Sequence, residues 1–175
     1  IRFDGKGRAW MGLTYETKVP SGLLVYDYNG TSANDKDDSE VFRASATNED
    51  GTTCSIAEVK DLRFDHNGWL WLACSGGIFA LSDPEDWLRG NYTVYQPKVP
   101  RNDGTNYADY LLDGVRCNAL AIDGGNRKWI GTAGSGIYLA SADGTEVIAH
   151  FTAANSPLPS DNIYALAYDE ASGNL

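Results

Sequence analysis

Short apolar runs separated by polar turns recur along the chain, and four of them end on an aspartate. Apolar residues alternate within these runs with few polar interruptions, which is typical of β-strands. A tryptophan stands six residues after each of the first three aspartates, and a glycine then opens a further apolar run. The pattern predicts units of a strand, a tight turn, a tryptophan-bearing strand and a third strand. The repeated positions are Asp4 and Trp10, Asp65 and Trp71, Asp123 and Trp129, and Asp169 at the start of a fourth copy.

A fourth strand is predicted to complete each unit, at residues 41–43, 92–95 and 146–151. Residues 82–90 carry the one helical signal, a capping serine or aspartate, a proline early in the first turn and a terminating glycine. We expect this segment to form one or two helical turns between the third and fourth strands of the second unit.

Units of four antiparallel strands repeated every ~40–60 residues are the blades of a β-propeller, so the predicted fold class is all-β. The predicted blades span residues 1–58, 59–114 and 115–162, and residues 163–175 begin a further blade. About three blades cannot close a ring, which usually needs about 4–8. The chain is therefore expected to be an incomplete propeller, a fragment whose exposed end blades favour self-association.

The repeated residues have structural roles in this interpretation. Each tryptophan is expected to fill the gap between neighbouring blades, because a large ring buries much apolar surface. Each aspartate precedes a turn, where its carboxylate can accept hydrogen bonds from backbone amides. A residue that recurs in every blade serves the fold, so no catalytic role is assigned to Asp4, Asp65, Asp123 or Asp169.

The net charge of the chain disfavours some classes of binding partner. The chain has 175 residues, and its 14 Lys and Arg against 24 Asp and Glu give a net charge of −10. Nucleic-acid binding is disfavoured, because affinity for the phosphate backbone comes from clustered basic residues. No apolar run approaches the ~20 residues of a spanning helix, so the chain is not expected to span a membrane.

Few side chains suggest metal binding or catalysis. Cys54, Cys74 and Cys117 contain no C-x-x-C pair, which favours buried free thiols over a zinc site, while pairing of two of them stays open. The acidic run 35–40 lacks the mid-loop glycine of a calcium loop, which favours a solvated loop. His66 and His150 lie in different units, which disfavours a catalytic triad. We expect no catalytic residue, no metal and no cofactor.

Binding is the remaining function class, and propellers commonly bind through the loops that join one blade to the next. These loops are predicted at residues 44–58, 96–116 and 152–162. The middle loop carries a mixture suited to stacking on sugars or holding an anionic group. Alternatively, its aromatic residues fasten a long loop to the scaffold. The candidate binding residues are Arg101, Tyr107, Tyr110 and Arg116.

Two segments resemble known families. Residues 125–132, with the sequence Gly-Asn-Arg-Lys-Trp-Ile-Gly-Thr, and 136–138, Gly-Ile-Tyr, resemble the two-component-regulator propeller repeat. The third unit through its exit loop, 126–163, is similar to the PorZ-like proteins of the type IX secretion system of Bacteroidetes.

The PorZ-like resemblance implies an exported protein of the periplasm or cell surface. Its expected function is non-enzymatic binding or scaffolding, with a protein, a carbohydrate or lipopolysaccharide as partner. The repeat also permits the periplasmic ligand-sensing propeller of a hybrid two-component histidine kinase. A polysaccharide-active propeller enzyme is the third hypothesis.

Overall fold

The computed structural model describes residues 1–15, 20–31 and 33–175. Strands dominate it, and the all-β propeller class predicted from the repeat is confirmed. Chain order gives β1 (Arg2–Phe3), β2 (Ala9–Leu13), β3 (Gly22–Asp27), β4 (Ser39–Arg43), β5 (Ser45–Asn48), β6 (Thr53–Ser55), β7 (Asp61–Phe64), β8 (Leu70–Cys74), β9 (Gly77–Leu81), α1 (Pro84–Leu88), β10 (Thr93–Val94), β11 (Lys98–Pro100), β12 (Ala108–Tyr110), β13 (Cys117–Ile122), β14 (Lys128–Thr132), β15 (Ile137–Ala140) and β16 (Val147–Phe151).

The first and third blades are four-stranded antiparallel sheets in which each strand pairs with the next. Their orders are β1-β2-β3-β4 and β13-β14-β15-β16. The registers place Trp10 opposite Val25 and Trp129 opposite Leu139 on the neighbouring strand. The short turns between first and second strands hold these registers, as the repeat predicts.

The second blade departs from the predicted four strands. Its sheet is β7-β8-β9, and only Tyr95 of the segment predicted as a fourth strand bridges to Ala80. The adjoining β10 instead pairs in parallel with β5, which lies between the first and second blades. After β9 the chain forms the inserted helix α1 and leaves the sheet. It returns to the edge of the sheet only at Tyr95, whose backbone hydrogen-bonds to Ala80.

Helix α1 lies within the segment predicted to be helical. The Asp83 side chain caps its first turn by accepting a hydrogen bond from the Glu85 amide, and Pro84 stands in that turn. Glu85 also pairs with Arg8 and lies 3.1 Å from Lys6 Nζ, so the helix is tied to the first turn of the first blade. The insertion therefore braces two blades.

The blades pack face to face, and the middle strand of the second blade shows the consequence. All five residues of β8 are buried, since this sheet is covered on both sides. Leu70 and Leu72 belong to the apolar cluster shared with the first blade, whereas Trp71 and Ala73 belong to the cluster shared with the third. This alternation follows from the period of two along a strand.

The three tryptophans differ in burial. Trp10 and Trp71 have no exposed surface. Trp129, expected to fill an interblade gap in the same way, is only half-buried and stacks on Phe151, with ring centroids 5.8 Å apart. The difference arises because no strand of the described residues packs over the outer face of the third blade.

The expected opening strand of a further blade does not form. Residues 163–168 are irregular, and Asp169 closes a turn by bridging to Asn174. The Asp169 carboxylate accepts the amide of Ala171, the bond that opens the equivalent turns of the other units. The turn forms from hydrogen bonds within residues 169–174 alone. The strand expected at residues 163–168 needs a neighbouring strand to pair with, and the described residues supply none.

Candidate ligand-binding surface

The two ends of the blades have different chemistry. At one end, which we call the lower surface, lie the turns 4–8, 65–69 and 123–127. Each is built on one aspartate whose Oδ1 accepts the amides two and four residues later and whose Oδ2 accepts the tryptophan Nε1 at 3.0 Å. The other end, the upper surface, comprises residues 44–60, 96–118, 133–136 and 152–164. Because the strands are antiparallel, segments that lead into β7 and β13 lie opposite those turns.

Burial opposes the charge on these aspartates, yet the hydrogen bonds from tryptophan, backbone and basic side chains prevail. They keep the pKa of Asp4, Asp65 and Asp123 below its usual range. The three carboxylates remain ionised, and they are engaged by hydrogen bonds from their turns, from the tryptophans and from neighbouring basic side chains. The lower-surface aspartates therefore offer no free group for chemistry on a ligand.

The upper surface contains a cavity of about 450 Å³ that we call the basic cavity. Its lining repeats by position: Lys60, Asn118 and Tyr164 each stand five residues before a repeat aspartate. Arg116 and Asn162 each stand seven residues before one. The positions five and seven residues before the repeat aspartates of successive units therefore line one cavity, together with Ala133.

The basic cavity carries a local positive charge on an acidic chain. Lys60 Nζ lies 3.9 Å and Arg116 Nη2 lies 3.8 Å from one oxygen of Glu58. These distances are too long for hydrogen bonds. Glu58 Oε2 is buried and has no hydrogen-bond partner among the described residues. Two cations thus face one carboxylate, and within the described part of the chain neither cation makes a side-chain hydrogen bond, so their donors can serve a ligand.

Polar and aromatic groups complete the basic cavity. Asn118 donates its amide to the carbonyl of Ile163 at 3.0 Å, which leaves its side-chain oxygen to accept from a ligand. Asn162 donates to the hydroxyl of Tyr164 at 2.8 Å, and the Tyr164 side chain is 80% exposed. An exposed ring beside amides and cations can stack on a sugar face while the polar groups bind its substituents.

The four candidate residues predicted in the loop 96–116 do not form one site. Arg101 makes a two-point ion pair with Asp109, with Nε at 2.8 Å and Nη2 at 2.5 Å, beside the exposed ring of Tyr107. Tyr110 lies at the base of the same hairpin, where its hydroxyl accepts from Asn48. Arg116 lies apart from them in the basic cavity.

The other cavity residues were not singled out from the sequence. Lys60, Asn118, Asn162 and Tyr164 come from different units and carry no motif of their own. Their constant offset from the repeat aspartates is the signal that could have found them. Residues at one offset in consecutive blades lie side by side, so a shared polar character there indicates a common surface.

The three cysteines are free and buried, in agreement with the favoured interpretation. Within residues 1–15, 20–31 and 33–175, no group of three or more potential metal ligands gathers. In that same part of the chain, no helix is long and apolar enough to cross a membrane.

The structure of PorZ, described as an essential bacterial surface component of the type IX secretion system of Porphyromonas gingivalis, superposes on the chain. The TM-score is 0.84 at 28% identity, over 98% of this chain and 24% of PorZ. The chain is similar to PorZ in sequence and in fold. The predicted resemblance to PorZ-like propeller proteins is therefore confirmed, over about a quarter of the length of PorZ.

Two structures of the extracellular domain of BT4673 from B. thetaiotaomicron share the fold. One, described as a one component system, matches with a TM-score of 0.63 at 17% identity, over 97% of this chain and 20% of that one. The other, described as a hybrid two component system, matches with a TM-score of 0.64 at 18% identity, over 98% and 21%. PorZ is described as a surface component, and both BT4673 structures are described as extracellular domains. No protein-family model and no curated protein sequence matches the chain.

Proposed function

We propose that this chain is a binding and scaffolding part of an exported bacterial surface protein, with a role like that of PorZ, and that it holds an anionic glycan in the basic cavity. The observation that carries the proposal is the likeness to PorZ, at 28% identity over 98% of the chain. Location and scaffold role come from this likeness. The choice of ligand comes from the side chains of the cavity.

The charges and donors of the basic cavity favour an acidic sugar. The Arg116 guanidinium offers a planar pair of donors that matches a carboxylate or phosphate group, and Lys60 adds a second positive charge. Asn118 and Asn162 supply amides for hydroxyl groups, and Tyr164 supplies a ring for the apolar face of a pyranose. The net charge of −10 opposes the approach of an anion to the chain as a whole, so a local group of positive charges is needed to hold one.

The experiment is calorimetric titration of the chain with three glycans. These are lipopolysaccharide from a Bacteroidetes bacterium, a uronic-acid polysaccharide, and the neutral, carboxyl-reduced form of that polysaccharide. We expect at least one anionic glycan to bind and the neutral form not to compete. Arg116→Ala should weaken binding about tenfold or more, because it removes a charge-assisted contact.

Lys36→Ala is the matched control, since it makes the same change of charge in the acidic loop, outside the cavity. Its affinity should stay within about twofold of the unsubstituted chain, as expected for a surface site remote from the ligand. Absence of binding to both anionic glycans would refute the ligand assignment. Equal loss in Arg116→Ala and Lys36→Ala would place any binding outside the basic cavity.

The second candidate function is ligand sensing, as in the hybrid two component system BT4673. The shared fold over 98% of this chain favours it, although that match has 18% identity. A sensor must pass a binding signal to another part of its protein. The test compares glycan affinity for this chain and for the full protein, and looks for a conformational change in the other domains on binding. Equal affinities with no such change favour the scaffold function over sensing.

A further inference from the structure

A second cavity, of about 350 Å³, lies on the upper surface between two hairpins, whose segments were predicted to be loops. We call it the hairpin cavity. The hairpins are β5–β6 and β11–β12. Its lining includes Asn48, Cys54, Phe79, Gln96, Tyr110 and Asp113, none of which lines the basic cavity.

Gln96 is the most informative residue of this cavity. It is 6% exposed, and its side-chain oxygen accepts from Asn48 Nδ2 at 3.1 Å and from Cys54 Sγ at 3.6 Å. Among the described residues, its amide nitrogen donates to nothing. The fully buried side-chain atoms that lack a partner among the described residues are Asp38 Oδ1, Glu58 Oε2 and Trp87 Nε1, so the Gln96 nitrogen is not sealed off but borders the open space of the cavity. This nitrogen is therefore a donor that a ligand in the cavity can use.

The orientation of the Gln96 amide is fixed by its neighbour. Asn48 Oδ1 accepts the backbone amides of Asp50 at 3.1 Å and Thr52 at 2.9 Å. The Nδ2 of Asn48 therefore points towards Gln96, and the side-chain oxygen of Gln96 accepts its hydrogen bond. The Gln96 nitrogen is left as the group that a ligand can use.

Two more groups define what the ligand must offer. The hydroxyl of Tyr110 is occupied, since it accepts from Asn48 at 3.0 Å and donates to Asp50, so its ring is what remains for contact. Asp113 is exposed at the rim, and its carboxylate makes no hydrogen bond or ion pair among the described residues. A ligand must accept from Gln96, donate to Asp113 and lay an apolar face on Tyr110.

We propose that the hairpin cavity binds an uncharged pyranose unit. A sugar hydroxyl can accept from one partner and donate to another, and the C–H face of the ring packs on aromatic side chains. The volume lies within the range of small-ligand sites. An acidic sugar is disfavoured, because the Asp113 carboxylate at the rim has no cation partner among the described residues and places negative charge at this cavity. This proposal goes beyond the function of the basic cavity and does not rest on it.

Cys54 provides a reporter for the test. It is 8% exposed in the cavity lining, whereas Cys74 and Cys117 have no exposed surface. Alkylation by iodoacetamide should therefore modify Cys54 first. The probes are the methyl glycosides of glucose, galactose, mannose and N-acetylglucosamine, with methyl glucuronide as the acidic comparison. The measured quantity is the ratio of the alkylation rates with and without sugar, taken within each variant.

We expect at least one neutral glycoside to protect Cys54 and methyl glucuronide not to do so. Asp113→Asn and Gln96→Leu should each weaken this protection about tenfold, as a lost hydrogen bond to a charged or buried group requires. Asp113→Asn changes an exposed residue, so it keeps the test valid if Gln96→Leu fails to fold. Asp109→Asn, on the same hairpin but outside the cavity lining, and Arg116→Ala should leave protection unchanged.

Three results would overturn the proposal. No neutral glycoside protects Cys54, methyl glucuronide protects it better than they do, or protection survives both Asp113→Asn and Gln96→Leu. The outcome is independent of the basic cavity, since Arg116→Ala should weaken glycan binding there and leave the protection of Cys54 unchanged.

Discussion

The ammonium nitrogen of Lys128 lies 2.9 Å from Asp65 Oδ2, across the boundary between the third and second blades, with both side chains almost completely buried. Lys128 also donates to the carbonyls of Asn126 at 2.7 Å and Ala142 at 2.5 Å, and lies 4.7 Å from the ring centre of Trp71. All three of its hydrogens are used. Burial is the main influence on Lys128 and lowers its pKa, against the attraction of Asp65.

The other turns obtain their cation from within the same unit. Arg8 pairs with Asp4 at 2.7 Å, and Arg127 pairs with Asp123 at 2.8 Å, each four residues after its aspartate. The second unit has Trp69 at that position, and the third blade supplies the missing charge. The ion pair thus couples two adjacent blades in addition to the apolar packing between them.

Lys128→Met should destabilise the chain strongly. Removing one partner leaves the Asp65 carboxylate buried without its cation, which typically costs about 3–5 kcal/mol of the free energy of unfolding. Urea denaturation gives the change. Arg127→Gln is the matched control and should cost below about 1 kcal/mol, because Arg127 is 47% exposed. Equal losses of unfolding free energy in the two variants would mean that the buried ion pair contributes no more to stability than the exposed one.

Trp71→Ala should cost about 3–5 kcal/mol, as for a fully buried large side chain. Trp129→Ala should cost less, about 1–2 kcal/mol, because part of its ring already faces water. Both changes are measured from urea midpoints at constant slope. A larger cost for Trp129 would show that its outer face is covered in solution, for example by self-association of the third blade.

The stability of the chain should decline in acid. Asp4, Asp65 and Asp123 have folded-state pKa values below those of an unfolded chain, so they stabilise the fold above about pH 4. That contribution is lost as the pH falls through the lowered values. The urea midpoint measured from pH 7 to pH 3 should therefore drop, and Asp123→Asn should flatten the drop. A midpoint independent of pH over this range contradicts the assignment.

Gly12 and Ala73 occupy the same place in their units, eight residues after the repeat aspartate. A Cβ on Gly12 would lie 2.4 Å from the backbone oxygen of Val59, which leads into the next blade. We expect Gly12→Ala to cost about 1–3 kcal/mol through overpacking. Ala73→Gly, the reverse change, should cost about 1 kcal/mol or less. Thermal unfolding distinguishes them, and a stabilising Gly12→Ala would contradict the close approach.

The blades were predictable because the strand period and the turn chemistry are local. Asp65, its turn and Trp71 are specified within a few residues of one another. The partnership of Asp65 with Lys128 was not predictable, because it joins residues 63 apart and depends on how one sheet stacks on the next. The hairpin β5–β6 was missed for a different reason. Its buried positions are Ala46, Asn48 and Cys54, which give no strong apolar alternation.

The candidate site was only partly predictable. Arg116 was singled out and lies in the basic cavity, but Arg101 is held by Asp109, eight residues along the hairpin. A basic residue in a loop looks the same in the sequence whether it is paired or free. Whether Arg101 is paired depends on how β11 and β12 align across the hairpin, because that register places Asp109 beside it. The sequence alone does not determine this register.

Hydrogen-exchange footprinting of the chain with the anionic glycan that binds most tightly tests the central claim, that the ligand occupies the upper surface. We expect added protection in segments 56–60, 113–118 and 160–164, which surround the basic cavity, and none in the turns 4–8, 65–69 and 123–127. Protection confined to those lower-surface turns, or spread evenly over the exposed face of the third blade, would contradict it.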